Sequence, residues 1–276
     1  MSRIQTVFSA LKANNKKALI PYITAGDPHP KHTVNILHTL VKTGADMIEV
    51  GIPFSDPMAD GPVIQRASER ALMHKVGLKN VLEMVAEFRQ TDTKTPIILM
   101  GYANPIEAMG QQAFIHAAAG AGVDGVLTVD YPPEECKDFI TGLQAAGMDS
   151  IFLLSPTSDA ARVNLIVNQA SGFLYYVSLK GVTGAANMDV EQVKARVAEI
   201  RTKTNLPIGV GFGVKDAATA KKVAEFADAI VVGSRMVVTI EESSEQNLMQ
   251  NISQLMQELR VAIDAFGNWY VRLNKG

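Results

Sequence analysis

One recurrence constrains this chain more than anything else in it. Eight short apolar runs appear in succession, each followed by a turn and then by a stretch of helical periodicity. The runs are residues 18–25, 47–52, 97–103, 125–129, 151–154, 174–179, 208–211 and 229–232. Parallel neighbours in a sheet need a long crossover between them, so alternating strands and helices predict a parallel sheet. The near-continuous apolar character of the runs predicts that both faces of that sheet are covered. Residues 33–43, stopping at Gly44, and residues 190–203 are two of the intervening amphipathic helices. A leader at residues 4–13 precedes the first strand and is suited to plug the barrel floor, and a helical stretch at residues 245–266 follows the last.

Eight such units in 276 residues match one closed barrel. The expected fold is α/β: a (β/α)8 TIM barrel, a single domain over residues 1–276 with an extra N-terminal helix. No Pro/Gly/Ser-rich linker or low-complexity tract divides the chain. The rival architecture is an open doubly wound sheet, which more often carries a dinucleotide fingerprint. Gly209-Val210-Gly211-Phe212-Gly213 fails that fingerprint in both frames, because Val214 and Asp216 stand where the last glycine is needed.

Charge and cysteine content narrow the function. With 26 basic and 28 acidic side chains, nothing in the balance calls for nucleic acid or an anionic membrane. No apolar run approaches a membrane span or a signal peptide, and one cysteine, Cys136, rules out an internal disulfide. A cytoplasmic location is expected. Cys136 stands in a polar run with no histidine near it in sequence, which favours a structural thiol over a nucleophile.

In a barrel the C-terminal strand ends and the loops beyond them build the active site. On the second strand, alternation sets Ile48, Val50 and Ile52 on one face and Glu49 on the other. Those faces are the helix layer and the lumen. A carboxyl aimed into the lumen loses water, its pKa rises, and a general acid near neutral pH results; a structural ion pair in the barrel core is the alternative. The next loop, Pro53-Phe54-Ser55-Asp56-Pro57-Met58-Ala59-Asp60-Gly61-Pro62, adds two carboxylates on a backbone bent by prolines and glycine. It reads as a lid, with a solvated turn or an acidic metal site as the alternatives. None of the five histidines has metal-ligand spacing to it, so no metal is expected. Glycine corners follow strands six, seven and eight: Gly181-Val182-Thr183-Gly184, Gly211-Phe212-Gly213 and Gly233-Ser234. Glycine admits close backbone approach to a phosphate, and this fold uses the last two loops for that purpose. Lys180 is a candidate Schiff-base lysine, against the plainer reading of an exposed loop residue.

These tracts, with Pro21-Tyr22-Ile23-Thr24-Ala25-Gly26-Asp27-Pro28 and Tyr102-Ala103-Asn104-Pro105, resemble the α subunit of tryptophan synthase over nearly the whole chain. The resemblance implies retro-aldol cleavage of indole-3-glycerol phosphate to indole and glyceraldehyde 3-phosphate. It implies Glu49 as principal acid–base group and Asp60 facing the indole nitrogen. It implies an indole pocket of Tyr22, Ile64, Tyr102, Leu127, Tyr175 and Phe212, and a substrate-binding loop set of Gly184, Gly211, Gly213, Gly233 and Ser234 around the phosphate. Thr183 would hydrogen-bond Asp60. It also implies a β-subunit partner in an αββα heterotetramer that holds the pyridoxal phosphate, with no cofactor in this chain. The 53–62 loop and residues 104–110 would face that partner. Two departures stand out: Arg235 replaces the usual alanine, and Ser178-Leu179-Lys180-Gly181 replaces a Ser-Arg-Ala-Gly tract. A Schiff-base sugar-phosphate aldolase using Lys180, or a weak subunit that mainly activates its partner, are the competing readings.

Overall fold

The computed structural model describes residues 2–177, 189–211 and 213–273, with side chains as far as residue 265. Eight parallel strands close in sequence order into a barrel: β1 (Ala18–Thr24), β2 (Ile48–Gly51), β3 (Ile97–Gly101), β4 (Gly125–Thr128), β5 (Asp149–Leu154), β6 (Leu174–Val177), β7 (Ile208–Gly211) and β8 (Ala229–Val232). Closure is made by β8 lying against β1, from Ala18↔Ala229 to Pro21↔Val232. The TIM-barrel expectation is met, and the open sheet is excluded.

Around the barrel run α1 (Arg3–Ala13), α2 (Pro30–Lys42), α3 (Pro62–Met73), α4 (Leu78–Arg89), α5 (Ala103–Met109), α6 (Gln111–Ala121), α7 (Lys137–Ala145), α8 (Ala160–Gln169), α9 (Val190–Arg201), α10 (Ala217–Ala224), α11 (Ser234–Glu241) and α12 (Leu248–Leu273). Strand alternation splits the apolar residues into two sets. Ile48, Val50, Leu99 and Val126 join helix residues such as Leu37, Val85 and Phe114 in the outer layer. Ile20, Ile98, Leu127, Ile151 and Val231 fill the lumen. Burial on both faces is what a sheet built by crossovers requires.

The leader does close the floor. Ser2 caps α1 by accepting from the Gln5 amide at 3.2 Å, and α1 sends Ile4 and Phe8 into the lumen cluster. Phe8 meets Phe173, with 5.7 Å between ring centroids. Ion pairing anchors the same helix, Arg3 Nη1 lying 2.8 Å from Asp124 Oδ1.

Several boundaries differ from expectation. The third strand ends at Gly101, and Ala103 starts a helix instead. Pro105 fits there because the first turn of a helix has no use for its missing N–H. The Ala103 amide is held by Asp130 Oδ1 at 2.7 Å. Met47 lies just before β2, and the run expected at 174–179 is a strand only through Val177 among the described residues. Helix α2 begins at Pro30, earlier than residue 33, since His29 Nδ1 accepts from the Lys31 amide at 3.2 Å and proline suits the first position. Helix α9 stops at Arg201. The stretch expected from residue 245 starts as a helix at Leu248, and α11 precedes it unannounced.

Candidate active site

A cavity of about 310 Å³ opens at the C-terminal mouth of the barrel. Its wall brings together Tyr22 of β1, Glu49 of β2, Asp60, Ile64 of α3, Tyr175 of β6, and Gly213, Gly233 and Ser234. Residues scattered over the sequence thus meet because their strands and loops share one rim.

Glu49 points into the lumen as alternation required. Its register partners are Tyr22 on β1 and Ile98 on β3, both lumen or mouth residues. It is 2% exposed, and its Oε1 has no hydrogen-bond partner among the described residues. Burial, and secondarily the negative charge of Asp60, push its pKa up to about 8. Among the described residues no cation pairs with it, which removes the structural ion-pair reading.

Asp60 approaches from the loop before α3. Tyr102 Oη donates to Asp60 Oδ2 at 3.1 Å and accepts from the Ala59 amide at 3.0 Å. Gln65 Nε2 donates to the Asp60 carbonyl at 2.9 Å. Burial raises the Asp60 pKa to about 6, and the bond from Tyr102 opposes that rise. The Asp56 carboxylate, by contrast, is exposed and among the described residues accepts only from Ser55 Oγ, at 2.6 Å, so the solvated-turn reading holds for it.

Two glycines make room for the aromatic wall. A Cβ on Gly51 would lie 2.0 Å from Tyr22 Oη, and one on Gly211 would lie 2.3 Å from Tyr175 Oη. Gly211 therefore makes room for Tyr175, and it is not part of the cavity wall among the described residues. Leu127 stays in the lumen cluster, 1% exposed, and Tyr102 works through Asp60; neither is part of the cavity wall among the described residues. Lys180, Thr183, Gly184 and Phe212 lie outside the described residues.

The other end of the cavity is suited to an anion. Gly213 has φ +80°, a conformation that glycine adopts without strain. Gly233 begins α11 without a side-chain cap, so the first amides of that helix remain available at the cavity wall. Arg235 and Lys215 line the same end. The position of Arg235, open at the level of sequence, is thus at the mouth. Met100, Lys215, Val231 and Val238 were not anticipated as wall residues. Inward parity with Ile98 and Ala229 was a usable signal for Met100 and Val231; Lys215 carried none.

Cys136 is buried, its Sγ 3.7 Å from the Pro133 carbonyl, and burial raises its pKa away from thiolate chemistry. Among the described residues no group of three or more His, Cys, Asp or Glu side chains is arranged to hold a metal ion, and no helix is long and apolar enough to cross a membrane.

Comparison with known proteins assigns the family. A family model described as tryptophan synthase alpha chain matches residues 8–264. The tryptophan synthase alpha chain of Ralstonia nicotianae is 59% identical over 265 residues, covering 96% of this chain and 100% of the relative. That of Nitrosomonas europaea is 56% identical over 265 residues, covering 96% of each. The crystal structure of tryptophan synthase subunit alpha from Legionella pneumophila matches with a TM-score of 0.90 at 49% identity, over 96% of this chain and 99% of that one. A chain of tryptophan synthase from M. tuberculosis, in an aminoacrylate-bound form, matches with a TM-score of 0.85 at 32% identity, over 95% and 100%. With the barrel, its mouth and these matches in agreement, the chain belongs to the tryptophan synthase alpha chain family.

Proposed function

We propose that Glu49 and Asp60 are the acid–base pair with which this chain cleaves indole-3-glycerol phosphate into indole and glyceraldehyde 3-phosphate. The single observation that carries the assignment is the buried Glu49 carboxyl, with an oxygen that no described residue bonds, on the wall of a cavity it shares with Asp60. A pKa near 8 keeps that carboxyl protonated at neutral pH, ready to act first as an acid.

Glu49 gives its proton to C3 of the indole ring, which leaves the ring nitrogen cationic. Asp60, ionised above about pH 6, stabilises that nitrogen. The Glu49 carboxylate then takes the proton of the hydroxyl on the adjoining side-chain carbon. That carbon becomes the aldehyde, the carbon–carbon bond breaks, and its electron pair flows back to the ring nitrogen. Glu49 ends protonated, and no proton is gained or lost overall. Tyr22, Ile64 and Tyr175 supply the apolar surface for the ring. Gly213, Gly233, Ser234 and the α11 N-terminus receive the phosphate, with Lys215 and Arg235 adding positive charge. Thr183, Gly184 and Phe212, which the resemblance adds to the substrate-binding set, lie outside the described residues.

The partner is a β subunit, and we assign the pair an αββα stoichiometry. Met58, 79% exposed on the loop that carries Asp60, supports that loop as a partner-facing surface. The pyridoxal phosphate belongs to that partner, because the cleavage written above uses the protonated indole ring as its only electron sink. Apolar indole passes directly to the β subunit. We read the enzyme as cytoplasmic, in keeping with a lone reduced thiol.

Glu49→Gln keeps the shape and removes the proton. Indole release should fall by about 10³-fold or more, while binding of indole-3-glycerol phosphate, measured by calorimetry, stays within about threefold. Turnover within a factor of ten of the parent would remove Glu49 from the mechanism.

A further inference from the structure

A second cavity, of about 400 Å³, opens at the opposite end of the barrel. Its position follows from the residues that form it. Lys17, Gly172, Pro207 and Asp228 stand at the N-terminal ends of β1, β6, β7 and β8, and α1 closes the side. None of these residues takes part in the chemistry at the mouth.

The charge on this cavity is one-sided. Lys12, Lys16, Lys17 and Arg201 line it, with Asp228 as the single carboxylate. That carboxylate is already engaged: Asp228 Oδ2 accepts from Arg201 Nη2 at 2.9 Å and from the Ile208 amide at 2.9 Å. Among the described residues four cationic side chains therefore line a cavity with one carboxylate, whose charge Arg201 and Lys17 share. Asn15 and Asn205 add neutral polar groups, and Phe8, Leu11, Leu206 and Pro207 supply an apolar wall. A concave site with converging cations and an apolar wall concentrates anions that carry an apolar body. Burial lowers the pKa of Lys17 from its ordinary value against the pull of Asp228, and an anion in the cavity would add to that pull.

We propose that the barrel floor is a binding site for a small organic phosphate, its phosphate among Lys12, Lys16 and Lys17 and its apolar group against Phe8, Leu11 and Leu206. The volume lies within the range of small-molecule sites. A phosphate suits three ammonium groups better than a carboxylate, because it brings up to two charges and three acceptor oxygens. The mouth takes the same class of ligand, so the two sites must be told apart by position.

Amide shifts in a ¹H–¹⁵N spectrum of the full chain separate them. Phenyl phosphate should shift the amides of Asn15, Gly172 and Asn205 saturably, in addition to any shift at Gly213 and Ser234. In the Glu49→Gln chain indole-3-glycerol phosphate should likewise shift the floor amides, over and above the shifts it causes at Gly213 and Ser234. Inorganic phosphate should move the same floor amides with weaker affinity, and benzoate should be weaker than phenyl phosphate. In the Lys12→Gln/Lys16→Gln chain, affinity at the floor should fall by about tenfold or more, with unchanged circular dichroism. Both lysines are exposed, so the variant keeps its fold, and Lys16→Gln alone serves should the double change unfold it. Shifts confined to the mouth, equal affinity in the lysine variant, or benzoate binding as tightly as phenyl phosphate would each overturn the proposal.

Discussion

A carboxyl group that is 2% exposed and lacks a partner for one oxygen among the described residues works against the fold that holds it. The sign of that effect follows from linkage. Below pH 4.5, the ordinary glutamate value, Glu49 is protonated in both the folded and unfolded chain. As pH rises the unfolded chain ionises while the folded one keeps its proton up to about pH 8, so stability is lost across that window. Glu49→Gln should therefore stabilise the protein, with a gain that grows from pH 5 and levels off above pH 8 at no more than about 5 kcal/mol. Urea unfolding at pH 5 and pH 9 measures it; a gain of equal size at both values would mean that burial of the charge is not the cause. The same two carboxyls set the rate profile. Glu49 must be protonated and Asp60 ionised, so kcat/KM should be bell-shaped, rising through about pH 6 and falling through about pH 8. Glu49 was legible in the sequence because β alternation leaves a lone charged residue on the face opposite three aliphatic ones. The pairing of Asp60 with Tyr102 was not, since it joins positions 42 residues apart.

At the scale of elements, Tyr102 ties the loop between β2 and α3 to the barrel. Tyr102, at the end of β3, receives the Ala59 amide and donates to Asp60, and its ring lies 5.2 Å from that of Phe54. Helix α3 is in turn tied to α11. Arg70 bridges Asp27 and Glu241, with its Nε 2.6 Å from Asp27 Oδ1 and its Nη1 2.7 Å from Glu241 Oε1. Arg66 reaches Glu241 at 2.8 Å. The two helices that start at the cavity wall thus keep a fixed spacing. Tyr102→Phe removes the bond that holds the Asp60 pKa down. The acid limb of the rate profile should move upward by about half a unit to one unit, with the alkaline limb unmoved. A profile shifted on both limbs, or lowered uniformly, would assign Tyr102 a purely structural role. Strand order and helix order were readable from periodicity because each is local in sequence. The start of α11 was missed because Gly233-Ser234 reads as a phosphate turn, and one stretch of chain serves as both turn and helix start. Parity shows that a residue faces the lumen but not how deep it sits, and depth separates the packed interior, where Leu127 lies, from the cavity wall.

Over the whole molecule, the two rims of the barrel have opposite jobs, and α1 accounts for much of the difference. The mouth must stay open to admit substrate, whereas the floor needs an apolar plug, because the lumen side chains there would otherwise meet water. Ile4 and Phe8 supply it, at 0% and 7% exposed, against Phe173 and the lumen column. Phe173 precedes β6, and two residues further on Tyr175 lines the reaction cavity, so floor and mouth share one packed column. Phe8→Ala should cost about 3–4 kcal/mol, the usual range for deleting a buried phenyl ring. The loss at the cleavage site should be smaller, because Tyr175 is also seated against Gly211 on the neighbouring strand. Denaturant unfolding gives the first quantity and steady-state indole release the second. A loss of less than about 1 kcal/mol would show that the lumen column closes without the ring, and α1 would then be a covering, not a plug.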